Sequence, residues 1–461
     1  MNRMSLIPLL FALAGAGVLP AAEVPYNAMG EKAGEVRAHS VILQTRLTAG
    51  PEREADGEVP GAQGWVVFEL SSTENFADSW FTSWRRALPE NDYFVKERVG
   101  GLAAGTRYFY RVHIGAELGR SDRIGPRRTF ATAPESACLK DVTFAVVTSH
   151  RYQNLDHPEG FESYAALNRI RPDFMVLTGD DVYYDSDEPV AVDLATCRLH
   201  WHRMYSLPRL VNFFGQVPAY WEKDDHDYRF DDADPYMPAR EGGSPDDQLG
   251  RRIFLEQAPV PEKTYRTVCW GSGLQIWLPE GRDYRSPNEI PDGPGKTIWG
   301  VEQRRWLEKS ISGSRAMFKI LVSPTPLLGP DRANKKDNHA NRLGFFTEGR
   351  NFLKTLKNHG VNNFFILCGD RHWKYHSVHP ETGYEEFCSG ALTDGASVKE
   401  PDYSEPTVER KWYLGNGGFL LVRIEVEAGG APAAVFDFYE KDGSLVHSVR
   451  RELLSKGQSQ P

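Results

Sequence analysis

The chain has 461 residues, 40% hydrophobic and 25% charged, an ordinary globular composition with length for more than one domain. Its 63 Asp plus Glu against 54 Lys plus Arg give a formal charge of −9, which argues against binding a nucleic-acid backbone as the main task. It contains no low-complexity tract and no fixed-period repeat.

Residues 1–22 place Arg3 before an apolar run from Leu6 to Leu19, followed by Ala21 and Ala22. That order predicts a secretory signal peptide, and the run is short for a membrane span. With no twin-Arg, a general export route is expected, giving a secreted or periplasmic protein without a transmembrane span. Five cysteines, Cys138, Cys197, Cys269, Cys368 and Cys388, fit neither a zinc motif nor a disulfide framework. Cys368 ends an apolar run and reads as a buried thiol.

Residues 23–134 read as an all-β sandwich. "GWVVFELSS", "NDYFVKERV" and "RYFYRVHIG" are strand-like, and Leu102, Gly105, Thr106, Tyr108 and Tyr110 resemble the corner of fibronectin type III domains. "ATAPESA" is a linker. From 138 to 452 strands alternate with helices: "VTFAVVTS", the helical spacing of "FESYAALNRIRP", then "DFMVLTG". Further on come helices in "GVEQRRWLEKSI" and "EGRNFLKTLKNHG", strands "FKILVS" and "NFFILCG", and a closing three-stranded meander that turns at Asp442-Gly443. The fold class expected is a layered α/β sheet domain behind an all-β sandwich, with 453–461 as a tail.

The loops that follow apolar strands carry the chemistry. "VVTSHRYQ" supplies His150, "VLTGDDVYYD" supplies Asp180 and Tyr183, "YWEKDDHDYRFDDAD" supplies Asp225, His226 and Asp231, and "FILCGDRHWKYHS" supplies Asp370 and His372. Crowded carboxylates repel one another unless cations sit among them. Hard oxygen donors mixed with imidazole suit Fe, Mn, Zn, Mg or Ca.

Gly179–Tyr183 as G-D-x-x-Y, Asp224–Asp227 as D-D-H-D with a trailing D-A-D, and Gly369–His372 as G-D-x-H together resemble the PhoD-like (alkaline phosphatase D) family of calcineurin-like metallophosphoesterases. "KTIWGVEQRRWLEKSI" and "GRDYRSP" resemble two further segments of that family, which also carries an N-terminal sandwich. The resemblance implies metal ligands at Asp180, Tyr183, Asp225, Asp370 and His372, with His150 a ligand by position. It implies a substrate-facing imidazole at His226. The G-D-x-x-Y motif is shared with purple acid phosphatases, whose Tyr binds ferric iron, so Fe3+ with Ca2+, Zn2+ or Mn2+ is the expected cofactor set.

Three departures stand out. Ser149-His150 replaces the family's Ser-Cys, the first-motif Asp of the wider superfamily is missing, and Asp231 stands where the family has Asn. The expected activity is metal-dependent hydrolysis of a small or polymeric phosphate ester by activated water, with Arg151, Arg285, Arg371 and Asp231 near the substrate. Two alternatives are a degenerate phosphatase-like binding protein for a glycan or anionic polymer, and a sulfate-ester hydrolase.

Overall fold

The computed structural model describes residues 23–398, 408–426 and 430–455, so the expected signal peptide lies outside the described residues. Val142–Val147 runs parallel to Phe174–Thr178, which runs parallel to Ala219–Glu222. On the other side Val142–Val147 pairs antiparallel with Gly418–Glu425, and the closing meander continues through Ala433–Glu440 and Leu445–Glu452. A second, seven-stranded sheet has Leu274–Leu278, Phe318–Ser323, Phe364–Cys368 and Glu385–Ser389 parallel to one another.

The two-residue period of each strand decides which layer its side chains enter. Phe144, Val146, Phe174 and Val176 point between the sheets and meet Ile320 and Phe365. Val147, Met175 and Leu177 point the other way, against the helices Glu162–Ile170 and Leu194–Tyr205. Leu321, Phe364 and Ile366 do the same for the second sheet, covered by Gly300–Ser312 and Phe346–Asn358. Strands buried on both faces therefore read as unbroken apolar runs. Each buried Val, Leu, Ile or Phe contributes about 1.5–3 kcal/mol, and these rows hold the strand ends in place.

The helices Leu194–Tyr205 and Asp247–Gln257 are not evident in the apolar spacing, because their buried faces include His200, His202, Arg203 and Gln257. Their starts are marked instead by caps. Asp193 Oδ1 accepts from Thr196 N at 2.9 Å, and Asp246 Oδ1 accepts from Leu249 N at 2.8 Å.

Gly64–Ser71 and Arg107–Gly115 sit at the centre of a six-stranded N-terminal sheet. Glu31–Gly34, Ser40–Arg46 and Phe94–Gly100 do not join it. They extend the sheet of the α/β unit to nine strands, with Gly34 opposite Ala219. Arg266 ties the two units where they meet, donating to Glu35 Oε1 at 2.9 Å and to the Trp221 carbonyl at 2.8 Å. The β-rich N-terminal unit is thus continuous with the sheet that carries the site. Among the described residues no helix is long and apolar enough to cross a membrane.

Candidate metal centre

Three strands hand over to residues with left-handed backbone: Ser149 (φ 61°), Asp180 (φ 57°) and Asp370 (φ 60°). Side chains other than glycine adopt this region rarely, Asp among the most readily, and such backbone clusters at functional sites. Glycine precedes two of them because the loops touch. A Cβ on Gly179 would collide with Asp224, and one on Gly369 would collide with the Thr178 hydroxyl.

The turn after Gly179 aims Asp180 and Tyr183 at one point. The Tyr183 hydroxyl donates to Asp180 Oδ2 at 2.9 Å and lies 3.1 Å from His372 Nε2. His372 Nδ1 lies 2.7 Å from the Ala396 carbonyl. A carbonyl can only accept, so Nδ1 carries the proton and Nε2 presents a lone pair. Three lone-pair atoms therefore converge with one proton among them. Neighbouring ligands of a metal with bonds near 2.1 Å stand about 3 Å apart, which is this spacing. Burial and the Asp180 charge push the Tyr183 phenol well above its ordinary range, so only a strong cation would take its proton.

Asp225 and His226 enter from the loop after Ala219–Glu222. Asp180, Asp225 and His226 offer ligand atoms within 4.8 Å of one another, as do Asp225, Asp231 and Asp232. Burial alone would raise the Asp225 carboxyl, but Arg282, His226 and Lys335 hold it well below the carboxylate range. Burial likewise favours a neutral His226, yet Asp225, Asp180 and Asp185 override it and keep the ring cationic. His226 Nδ1 is fixed by Asp185 Oδ1 at 2.6 Å, and the ring stacks on Tyr183 with centroids 4.2 Å apart. Asp370 forms an ion pair with Arg371, and burial raises its carboxyl. Asp180 Oδ1 and Asp370 Oδ2 are buried without a hydrogen-bond partner among the described residues. Such oxygens are costly in a protein alone and are satisfied by a hard cation, so the donor set fits one.

The remaining acids of D-D-H-D brace the site. Asp227 accepts from the Asp224 backbone at 2.8 Å and the Asp181 backbone at 3.1 Å. Asp224 pairs with Arg282, which is fully buried and also lies 3.7 Å from Asp225 and 3.4 Å from Asp337. Arg285, three residues on, turns away to the Gly281 carbonyl at 2.7 Å and Asn288 at 3.2 Å. His150 lies under the helical layer: Nε2 is 2.7 Å from the Tyr164 hydroxyl and Nδ1 is 3.8 Å from Asp181. Burial lowers that imidazole to about 3. Arg371 donates to Asp331 at 2.6 Å, and Arg151 lies over the Tyr183 ring at 5.6 Å. Asp231 is exposed at the mouth, 3.9 Å from His226 Nε2.

The structure adds Asp185, Arg282, Lys335 and Asp337 to the residues expected from the sequence. Arg282 shares the "GRDYRSP" segment with Arg285, and its signal was the arginine pair itself. Lys335 and Asp337 come from "DRANKKDNHAN", which has neither strand nor helix pattern and so carried no signal.

The profile of the family described as "PhoD-like phosphatase" matches residues 144–416, and that of "PhoD-like phosphatase, N-terminal domain" matches residues 20–131. Alkaline phosphatase D of Bacillus subtilis (strain 168) is 22% identical over 399 residues, which cover 75% of this chain and 64% of that relative's length. Among solved structures, one titled "Structure of PhoD" superposes with a TM-score of 0.72 at 18% identity, covering 96% of this chain and 95% of that one. The purple acid phosphatase PPD1 of yellow lupin superposes with a TM-score of 0.63 at 10% identity, covering 92% and 74%. These last two show the shared fold, mixed sheets flanked by helices. Matched over more than half its length by one profile and at its N-terminus by another, the chain belongs to the PhoD-like phosphatase family.

Proposed function

We propose that the chain is an exported, metal-dependent hydrolase of phosphoric esters. The observation that carries this reading is the meeting of Asp180 Oδ2, Tyr183 Oη and His372 Nε2 with a single proton among them. Asp180, Tyr183, Asp225, Asp370 and His372 would hold two cations, ferric iron at Tyr183 with calcium, zinc or manganese beside it. When bound, these supply Lewis-acid polarisation of the phosphoryl oxygens and acidification of water. His150, hydrogen-bonded to Tyr164, stays outside the set.

The chain's own groups position and protonate. Asp185 holds His226 Nδ1, which leaves Nε2 directed at the mouth and charged. In that state it can give a proton to the departing alkoxide. Arg151, over Tyr183 and half-exposed, is placed to receive a non-bridging oxygen. The layers of helix on the outer sheet faces keep the reacting groups on a rigid edge.

Elemental analysis of protein purified without chelators, paired with a panel of phosphomonoesters, phosphodiesters and sulfate esters, tests this. Bound iron or a second divalent ion with turnover of a phosphoric ester is expected. Bound metal with no turnover of any ester would replace this reading with a binding protein.

A further inference from the structure

Asp231 replaces a neutral residue expected at the mouth, and the structure shows what its charge meets. One carboxylate oxygen, Oδ1, lies 3.5 Å from Lys335 Nζ and 3.9 Å from His226 Nε2. The Lys335 ammonium and the His226 ring, from different loops, therefore flank one exposed carboxylate oxygen. Two arginines near the centre are committed. Arg282 is paired with Asp224, Asp225 and Asp337, and Arg371 with Asp331 and Asp370. Arg285 faces backbone and Asn288. Lys335 is nearly buried, at 6% exposure, and is anchored from behind by an ion pair with Asp232. Asp232 is itself fixed, its amide donating to Asp225 Oδ2 at 2.5 Å and its carbonyl accepting from Asn288 at 2.7 Å. The ammonium is thus held beside the proposed acid His226, while the Asp231 carboxylate between them is 56% exposed.

Resting on the phosphoric-ester reading above, we infer that Lys335 and His226 form the pocket for a non-bridging phosphoryl oxygen, with Asp231 as an internal anion that occupies the pocket until substrate displaces it. The chemistry recognised is a tetrahedral oxyanion. Lys335 supplies a charge-assisted donor to it, and Asp231 sets the affinity by competing. This assigns to Asp231 a role the family's Asn cannot play.

The test uses metal-loaded wild type, K335Q, K335R, D231N and the K335Q/D231N double variant, with inorganic phosphate titrated by calorimetry and as an inhibitor of an aryl phosphate. K335Q should weaken phosphate binding and raise KM by about tenfold or more, the scale of one charged hydrogen bond, with a smaller change in kcat and unchanged metal content. K335R should recover most of the affinity. D231N should tighten phosphate severalfold, and that gain should shrink in the double variant. Phosphate binding undiminished in K335Q, or lost only together with metal, would overturn the assignment. If wild type turned over no ester, the functional reading would fall. Calorimetry would still decide the pocket: phosphate bound by wild type and not by K335Q supports it, and none bound by wild type sinks it.

Discussion

The Tyr183 hydroxyl lies 3.1 Å from His372 Nε2 although 189 residues separate them in the chain. The two sit in the loops that follow strands of different sheets, Phe174–Thr178 and Phe364–Cys368, whose C-terminal ends meet where Gly369 passes the Thr148 and Thr178 hydroxyls. An imidazole lone pair facing a phenol oxygen gains little by itself. A cation between them would turn two facing lone pairs into ligands.

Asp180→Ala and His372→Ala should each remove bound metal and nearly all ester hydrolysis. Losing a group that merely orients a ligand costs about 10–100-fold in metal affinity, so losing a ligand should exceed about 100-fold. Metal content by mass spectrometry and a cooperative thermal melt would check this. Wild-type metal content in either variant would remove the assignment.

Tyr183→Phe tests the ion itself. If the phenolate binds ferric iron, the iron-loaded protein should absorb visible light, and Tyr183→Phe should abolish that band. Tyr184→Phe should keep it, because the Tyr184 hydroxyl accepts from Trp201 Nε1 at 2.7 Å, in the helical layer. Colourless wild type containing one equivalent of ferric iron would exclude Tyr183 as a ligand.

Arg282→Met should destabilise the fold. The guanidinium is fully buried among Asp224, Asp225 and Asp337, and removing one partner of a buried charge set costs about 3–5 kcal/mol. Chemical denaturation would measure it. Adding Asp224→Asn should recover part of the loss, because it removes the stranded charge, and no recovery would argue against this pairing as the cause.

Acid sensitivity should appear in the N-terminal sheet. Glu69 accepts from Arg111 Nε at 2.5 Å and lies 2.8 Å from His113 Nε2. Burial raises its carboxyl, but the hydrogen bonds from Arg111, Ser79 and His113 outweigh burial and hold it at about 2, against an ordinary 4.5. The folded value is the lower one, so the stabilisation is complete above pH 4.5 and is lost as pH falls from there toward 2. Melting temperatures of wild type and Glu69→Gln should differ at pH 6 and converge near pH 2. A constant difference across that range would place the contribution elsewhere.

Local residue pattern was enough to place the layers and the turns. Near-continuous apolar runs in Val142–Val147, Phe174–Thr178 and Phe318–Ser323 dictate two buried faces per strand, because side chains point to opposite faces at every step. G-D-x-x-Y sets Asp180 and Tyr183 in one loop by spacing alone. Tertiary structure decided the rest. Whether Arg282 or Arg285 enters the site depends on how one loop packs between Asp224 and Asn288. That His150 meets Tyr164, that Lys335 arrives at Asp231, and that Glu31–Gly34 extends the α/β sheet are likewise meetings between distant segments. Local pattern encodes which face of an element is buried. It does not encode the partner, because any charged side chain on a polar loop reads alike until the sheet edges bring two loops together.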